Sequence, residues 1–353
     1  MTKSWADTPL GWINRDNTSA YTATAGEFEF SIAGLAVNDT IDVLNIREDL
    51  IANNRRLVGD SGDLAGSAIE LHYGITETIS AFARYQDQSL TVDLGEVQSV
   101  NIVDINESLD TTLQEIGFKW TLFESKLLNP DNLQTALSIQ ATAYRNESDD
   151  FDVTIDQINF SNLTVFFSDP TIFSVDDLKD EGWTIRLLFS RYLDQIGVTS
   201  FWLGYGQSDA KSGTSTNAEN GTIRNLFKQE FSLEESYLYL GASLNLRITP
   251  RLPASISYEY IDINDSSFNR DPLVAPTGLP GFLTSSATSH EDGNHTLNAK
   301  ISYWITPEFS ASVSGNLFSN QFLGKLPHFN NPLSESFSSE PYGYIGLELG
   351  YRF

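Results

Sequence analysis

The stretch Tyr237–Tyr260, YLYLGASLNLRITPRLPASISYEY, decides how the chain is read. Leu238, Leu240, Ala242, Leu244 and Leu246 alternate with polar residues such as Ser243 and Asn245. Beyond Ile248, Thr249 and Pro250, the residues Ala254, Ile256, Tyr258 and Tyr260 alternate with Ser255, Ser257 and Glu259. A repeat of two puts every apolar side chain on one face of an extended strand. Two such runs joined by a few residues predict a hairpin. The same shape returns as GITETISAFARY (74–85) and WITPEFSASVSG (304–315), each with Ile-Thr at the reversal and an alternating run after it. A chain that repeats one turn is one that reverses repeatedly at one level.

Reading outward predicts twelve strands, near 27–36, 65–75, 79–89, 111–124, 134–146, 182–192, 197–207, 234–248, 251–262, 294–305, 308–318 and 342–353. Segment 37–64 either extends the first strand, forms a short helix or conceals a further strand pair, which would make fourteen. The connections alternate between brief ones and long ones, the latter near 37–64, 90–110, 147–181, 208–233, 263–293 and 319–341. In an up-and-down meander alternate connections share an end, so one rim is trimmed and the other elaborate. The long connections are acidic: 147–181 holds Glu147, Asp149, Asp150, Asp152, Asp156, Asp169, Asp176, Asp177, Asp180 and Glu181 against Lys179 alone. Residues 27–353 read as one unit, with no linker composition inside it. Residues 1–26, with Trp5 and Trp12, precede it and are expected to plug the unit, dock a periplasmic partner or hang free.

The chain has 353 residues, no cysteine and a formal charge of -26. That charge excludes nucleic acid as a partner, since a polyanion is repelled. The absence of cysteine excludes a disulfide framework and thiolate metal sites. The longest apolar run, IAGLAV (Ile32–Val37), is far short of the roughly 20 residues of a membrane helix. The opening MTKSWADTPLGWINRDN lacks an apolar leader segment, which fits either a cytoplasmic chain or a mature form.

The faces separate almost completely. One carries Ile69/Leu71/Tyr73, Ile116/Phe118/Trp120/Leu122, Ile185/Leu187/Phe189, Phe201/Leu203/Tyr205 and Leu297/Ala299/Ile301/Tyr303. The other carries Glu70, His72, Glu115, Lys119, Thr121, Ser138, Gln140, Arg186, Lys300, Ser302, Glu348 and Arg352. A soluble sandwich also alternates. Strands of about ten residues, aromatic ends and alternately short and long connections predict instead a transmembrane antiparallel up-and-down β-barrel. Such a barrel must close, because lipid offers no partner to an open sheet edge.

The last residues, YIGLELGYRF (344–353), resemble the C-terminal strand of Gram-negative outer-membrane barrel proteins, with a terminal Phe353 and Tyr351, Leu349 and Leu347 at alternate positions before it. The resemblance implies an outer-membrane location, both termini and the short turns on the periplasmic side, and acidic loops outside. It also implies recognition of Tyr344–Phe353 by the barrel-assembly machinery, with outer-membrane lipid and lipopolysaccharide as surroundings.

Function is then expected in the lumen. The inward parity holds Arg84, Lys119, Arg186, Arg247, Lys300 and Arg352 against Glu29, Glu70, Glu115, Glu259 and Glu348. A three-residue turn at Thr76–Thr78 sets Glu70 opposite Arg84. The constriction candidates are Glu70, Arg84, Glu115, Lys119, Arg186, Lys300, Glu348 and Arg352. They either select solutes by sign or form ion pairs that fill and stiffen the barrel. His290, Glu291, Asp292 and His295 are weak metal candidates, and acidic stretches such as NESDDFD (146–152) are weak Ca²⁺ candidates without EF-hand spacing. No cofactor is expected otherwise. G-x-S-x-G, H-E-x-x-H and P-loop patterns are absent from the sequence. The expectation is a porin-like passive channel for small polar or charged solutes. The alternatives are a closed barrel serving as an anchor or interaction module, and an outer-membrane enzyme.

Overall fold

The computed structural model describes residues 18–37, 61–92, 100–105, 108–125, 135–160, 163–193, 196–217, 224, 229–270, 293–319 and 342–353. They form fourteen strand segments: β1 (Phe28–Val37), β2 (Ser61–Gly74), β3 (Ile79–Val92), β4 (Val100–Ile105), β5 (Ser108–Glu124), β6 (Thr135–Ser148), β7 (Phe151–Phe160), β8 (Leu163–Leu193), β9 (Gly197–Thr216), β10 (Gln229–Thr249), β11 (Leu252–Arg270), β12 (Gly293–Trp304), β13 (Phe309–Ser319) and β14 (Tyr342–Arg352). Pairing runs β1-β2-β3-β5-β6-β8-β9-β10-β11-β12-β13-β14 and returns to β1, so twelve staves close one antiparallel barrel. Two contacts seal the circle: Ile32 lies opposite Leu349 where β1 meets β14, and Leu187 opposite Leu203 where β8 meets β9. Segments β4 and β7 stand outside this circuit, continuing β5 and β6 beyond it.

The repeated turn has a local cause. In the first copy the Ile75 amide donates to the Ile79 carbonyl at 2.9 Å, leaving three residues to reverse the chain. The Thr76 hydroxyl accepts from the amides of Thr78 and Ile79 at 3.2 and 3.0 Å. Thr306 does the same for Glu308 and Phe309 at 3.3 and 3.1 Å, and Thr249 accepts from Arg251 at 3.3 Å. Side-chain capping of this kind stabilises a tight turn by satisfying amides that the ladder leaves unpaired.

The outside is the apolar side. On β9, Leu203 is 57 % exposed whereas Ser200 on the opposite parity is fully buried. Leu347, Trp120, Phe118 and Leu240 likewise point outward into the surroundings. A water-soluble sheet has the reverse arrangement; an apolar belt facing out belongs in lipid. Aromatic pairs mark its borders: Phe28 with Phe353 at 5.0 Å and Tyr351 with Phe353 at 5.7 Å at the short-turn end, Trp183 with Tyr205 at 5.8 Å at the other.

Two expectations need correction. The acidic segment 147–181 is not an irregular loop: β7 and the first part of β8 form a hairpin, with Val153 opposite Phe173. Strand β8 runs for 31 residues, about three times the roughly 9–11 that cross a bilayer. Parts of 90–110, 208–233 and 263–293 also continue as strand, to Val92, Thr216 and Arg270. Above the lipid no face needs to be apolar, so the alternation that reveals a membrane strand is lost. Within 37–64, β2 begins at Ser61, and 38–60 lies outside the described residues. The circuit is therefore twelve-stranded without a pair drawn from that segment.

Candidate functional site in the lumen

Strand parity delivers every constriction candidate to the bore. The closed three-residue turn sets Glu70 opposite Arg84, which in turn lies opposite Glu115 on β5. The Arg84 Nε lies 3.3 Å from a Glu70 oxygen. Its guanidinium also donates to Gln86 at 2.5 Å, and Gln86 passes a hydrogen bond to Gln88 at 2.7 Å, a polar ladder up β3. Arg84 also reaches the Tyr344 hydroxyl on β14, past the two intervening strands β2 and β1.

A second centre lies on the far wall. Arg186 on β8 pairs with Glu259 on β11 at 3.0 Å, spanning two intervening strands. The Trp202 indole donates to the same carboxylate at 2.8 Å, and the guanidinium lies 4.7 Å from the centre of the Tyr239 ring. Glu115 lies within electrostatic reach of both Arg84 and Arg186. Glu70, Arg84, Glu115, Arg186 and Glu259 thus form a belt of alternating charge round much of the bore. Lys300 with Glu348, at 2.7 and 2.8 Å, continues it on β12 and β14. Arg352 lies lower, 3.3 Å from Glu27 and 3.2 Å from Glu29, with its guanidinium over Trp304 at 4.8 Å. Lys119 is separate: its ammonium donates to the Ser19 carbonyl at 2.7 Å.

Sequence reading passes over the aromatic side of the bore. Phe82, Tyr144, Tyr239 and Trp202 face inward, and each ring rests on a glycine of another strand. A Cβ built at Gly117 would come within 2.2 Å of Phe82, one at Gly182 within 2.6 Å of Tyr144, one at Gly206 within 2.9 Å of Tyr239, and one at Gly241 within 2.1 Å of Trp202. Only glycine admits such an approach. The signal is present as parity, because Tyr237 and Tyr239 fall out of phase with the Leu238–Leu246 face. Nearer the long-loop end, the Tyr144 and Tyr237 hydroxyls meet at 3.3 Å, and Asp180 and Glu235 are buried carboxylates on the same walls.

The metal candidates are not brought together. His290, Glu291 and Asp292 lie outside the described residues. His295 faces outward, bonded through Nδ1 to the Tyr258 hydroxyl at 2.7 Å and set against the Tyr260 ring at 5.0 Å. In NESDDFD, Glu147 pairs with Arg145, and Asp152 accepts from Ser174. Among the described residues no three metal-ligating side chains converge. The strand histidine His72 faces the bore and stacks on Phe82, ring centres 5.9 Å apart.

No protein-family model and no curated protein matches the chain. Among solved structures it is similar to Gram-negative barrels. The toluene transporter TbuX from Ralstonia pickettii shares 10 % identity over 98 % of this chain and 93 % of that one, with a TM-score of 0.42. An outer membrane channel from Pseudomonas putida F1 shares 8 % identity over 97 % and 100 %, with a TM-score of 0.42. The outer membrane protease OmpT from Escherichia coli shares 10 % identity over 93 % and 94 %, with a TM-score of 0.35.

Proposed function

We propose that this chain is an outer-membrane barrel that acts as a passive channel for small polar solutes, with a preference for cations. The observation that carries the reading is the seating of Phe82, Tyr144, Tyr239 and Trp202 on glycines of the wall. Rings laid against the wall leave the centre of the bore to polar groups and water. A barrel filled for rigidity would instead stand those inward-facing rings out into its centre. The charged belt then lies along the route of a solute, where fixed charges select by sign. Its three carboxylates outnumber its two guanidiniums. Assembly through Tyr344–Phe353 and contact with lipopolysaccharide belong to the same proposal.

The closed-anchor reading draws on one observation, the chain segment before β1 that crosses the bore floor. Planar-bilayer recording of the purified protein separates the two. A channel gives discrete conductance steps, and a salt gradient gives a reversal potential of the sign for cations. Silence at every voltage, from protein whose folding is shown by its heat-dependent gel mobility, would overturn the channel.

A further inference from the structure

Residues 18–26 enter the barrel from β1 and line its floor at the short-turn end. Ser19 and Ala20 are fully buried, and Tyr21 and Ala23 nearly so. The segment is held in an extended groove by wall side chains that address its backbone. Lys119 donates to the Ser19 carbonyl at 2.7 Å, Thr121 to the Ala20 carbonyl at 3.3 Å, and Ser138 to the same oxygen. The Ala20 amide donates to Ser190 at 2.8 Å, and Thr18 reaches Ser243 at 3.2 Å. Ala20 packs among Ala136, Leu188, Val198 and Trp202. These partners sit on β5, β6, β8, β9 and β10, so the segment spans the bore from its root at β1.

Two features distinguish this contact from a permanent filling. Its anchors are mostly hydroxyls that stand beside one another, Thr121 Oγ1 3.0 Å from Ser138 Oγ and Ser190 Oγ 2.7 Å from Ser200 Oγ. When the segment leaves, the hydroxyls released from its backbone turn to one another and to water, and water replaces the Ser19 carbonyl at Lys119. The segment also joins β1 through Gly26, at φ +79°, a left-handed conformation that suits glycine at a sharp reversal. The hydrogen-bonding anchors are distinct from the charged belt, where Arg84 pairs with Glu70 and Arg186 with Glu259, while Trp202 touches both, packing on Ala20 and donating to Glu259.

We infer that the floor of the bore is a binding groove for an extended peptide, and that residues 18–24 occupy it as a displaceable plug that closes the channel at rest. This rests on the channel reading above. The chain has no cysteine, so the pair Ala20→Cys and Ala136→Cys places a single disulfide between plug and wall. The expected result is that the oxidised pair suppresses opening events and that reductant restores them. In full-length protein, Ala20→Trp, which the groove has no room for, raises the time-averaged conductance several-fold. A thiol reagent unable to cross the membrane labels Ala20→Cys alone at a rate that rises with the open fraction. Full conductance with the disulfide formed, or failure of that disulfide to form, would overturn the plug and leave the channel standing. Silence of folded Ala20→Trp would instead overturn the channel reading on which the plug depends.

Discussion

Arg186 shows what one residue contributes here and how far it could be read in advance. Ile185 and Leu187 beside it face lipid, so by strand parity Arg186 must face the bore. Its partner was not legible, because Glu259 lies three strands away in the circuit and only closure brings the two to 3.0 Å. Glu70 and Arg84 differ in that a three-residue turn fixes their register within one hairpin, so the pairing could be derived from the sequence. Arg186→Gln leaves Glu259 with the Trp202 indole alone and removes a positive charge from the belt. The reversal potential in a salt gradient should move further in the cation direction. Unfolding in detergent should cost about 3 kcal/mol less at most, the low end for breaking a buried pair, because the Arg186 and Glu259 side chains remain 13 % and 18 % exposed. An unchanged reversal potential would place Arg186 off the permeation route.

At the scale of strands, the glycine seats govern the width of the bore. Gly241 lies on β10, and the ring of Trp202 from β9 occupies the space its side chain would take. Gly241→Ala should therefore push the indole inward, weaken its 2.8 Å bond to Glu259 and narrow the bore. The expected outcome is a smaller single-channel conductance together with a stability loss of about 1–3 kcal/mol, as for an overpacked core. Conductance equal to that of the parent would show that the indole does not border the path. The seats were hard to find by reading, since a glycine in a strand also marks a bulge or a weak point, and only the three-dimensional pairing names the ring above it. The extended strands were hidden for another reason. Phe151–Phe160 and the start of β8 lie beyond the lipid belt, where charge on either face costs little and periodicity fades.

For the molecule as a whole, the twelve staves were legible because lipid imposes a rule on every strand that crosses it, and each strand repeats the rule. The use of the bore was less so, because its side chains answer to one another across the circle. Outside, above the girdle of Trp183 and Tyr205, charges of both signs alternate: Arg145 lies 3.3 Å from Glu181, and Lys211 pairs with Asp209. With a formal charge of -26 the chain as a whole attracts cations to its mouth. Cation preference should accordingly fall as salt rises from about 0.1 M to about 1 M, where the screening length shrinks from roughly 10 Å to roughly 3 Å. A preference independent of salt would assign selectivity to the belt alone. The glycine seats also bear on assembly. Sliding β3 by two residues along β5 would keep every apolar face in lipid, yet it would drive Phe82 from Gly117 onto Glu115 or Lys119. Lipid reads only whether a residue faces out; the seats read where along the strand it stands, so they act as a notch code that rejects misaligned barrels which hydrophobicity alone would accept.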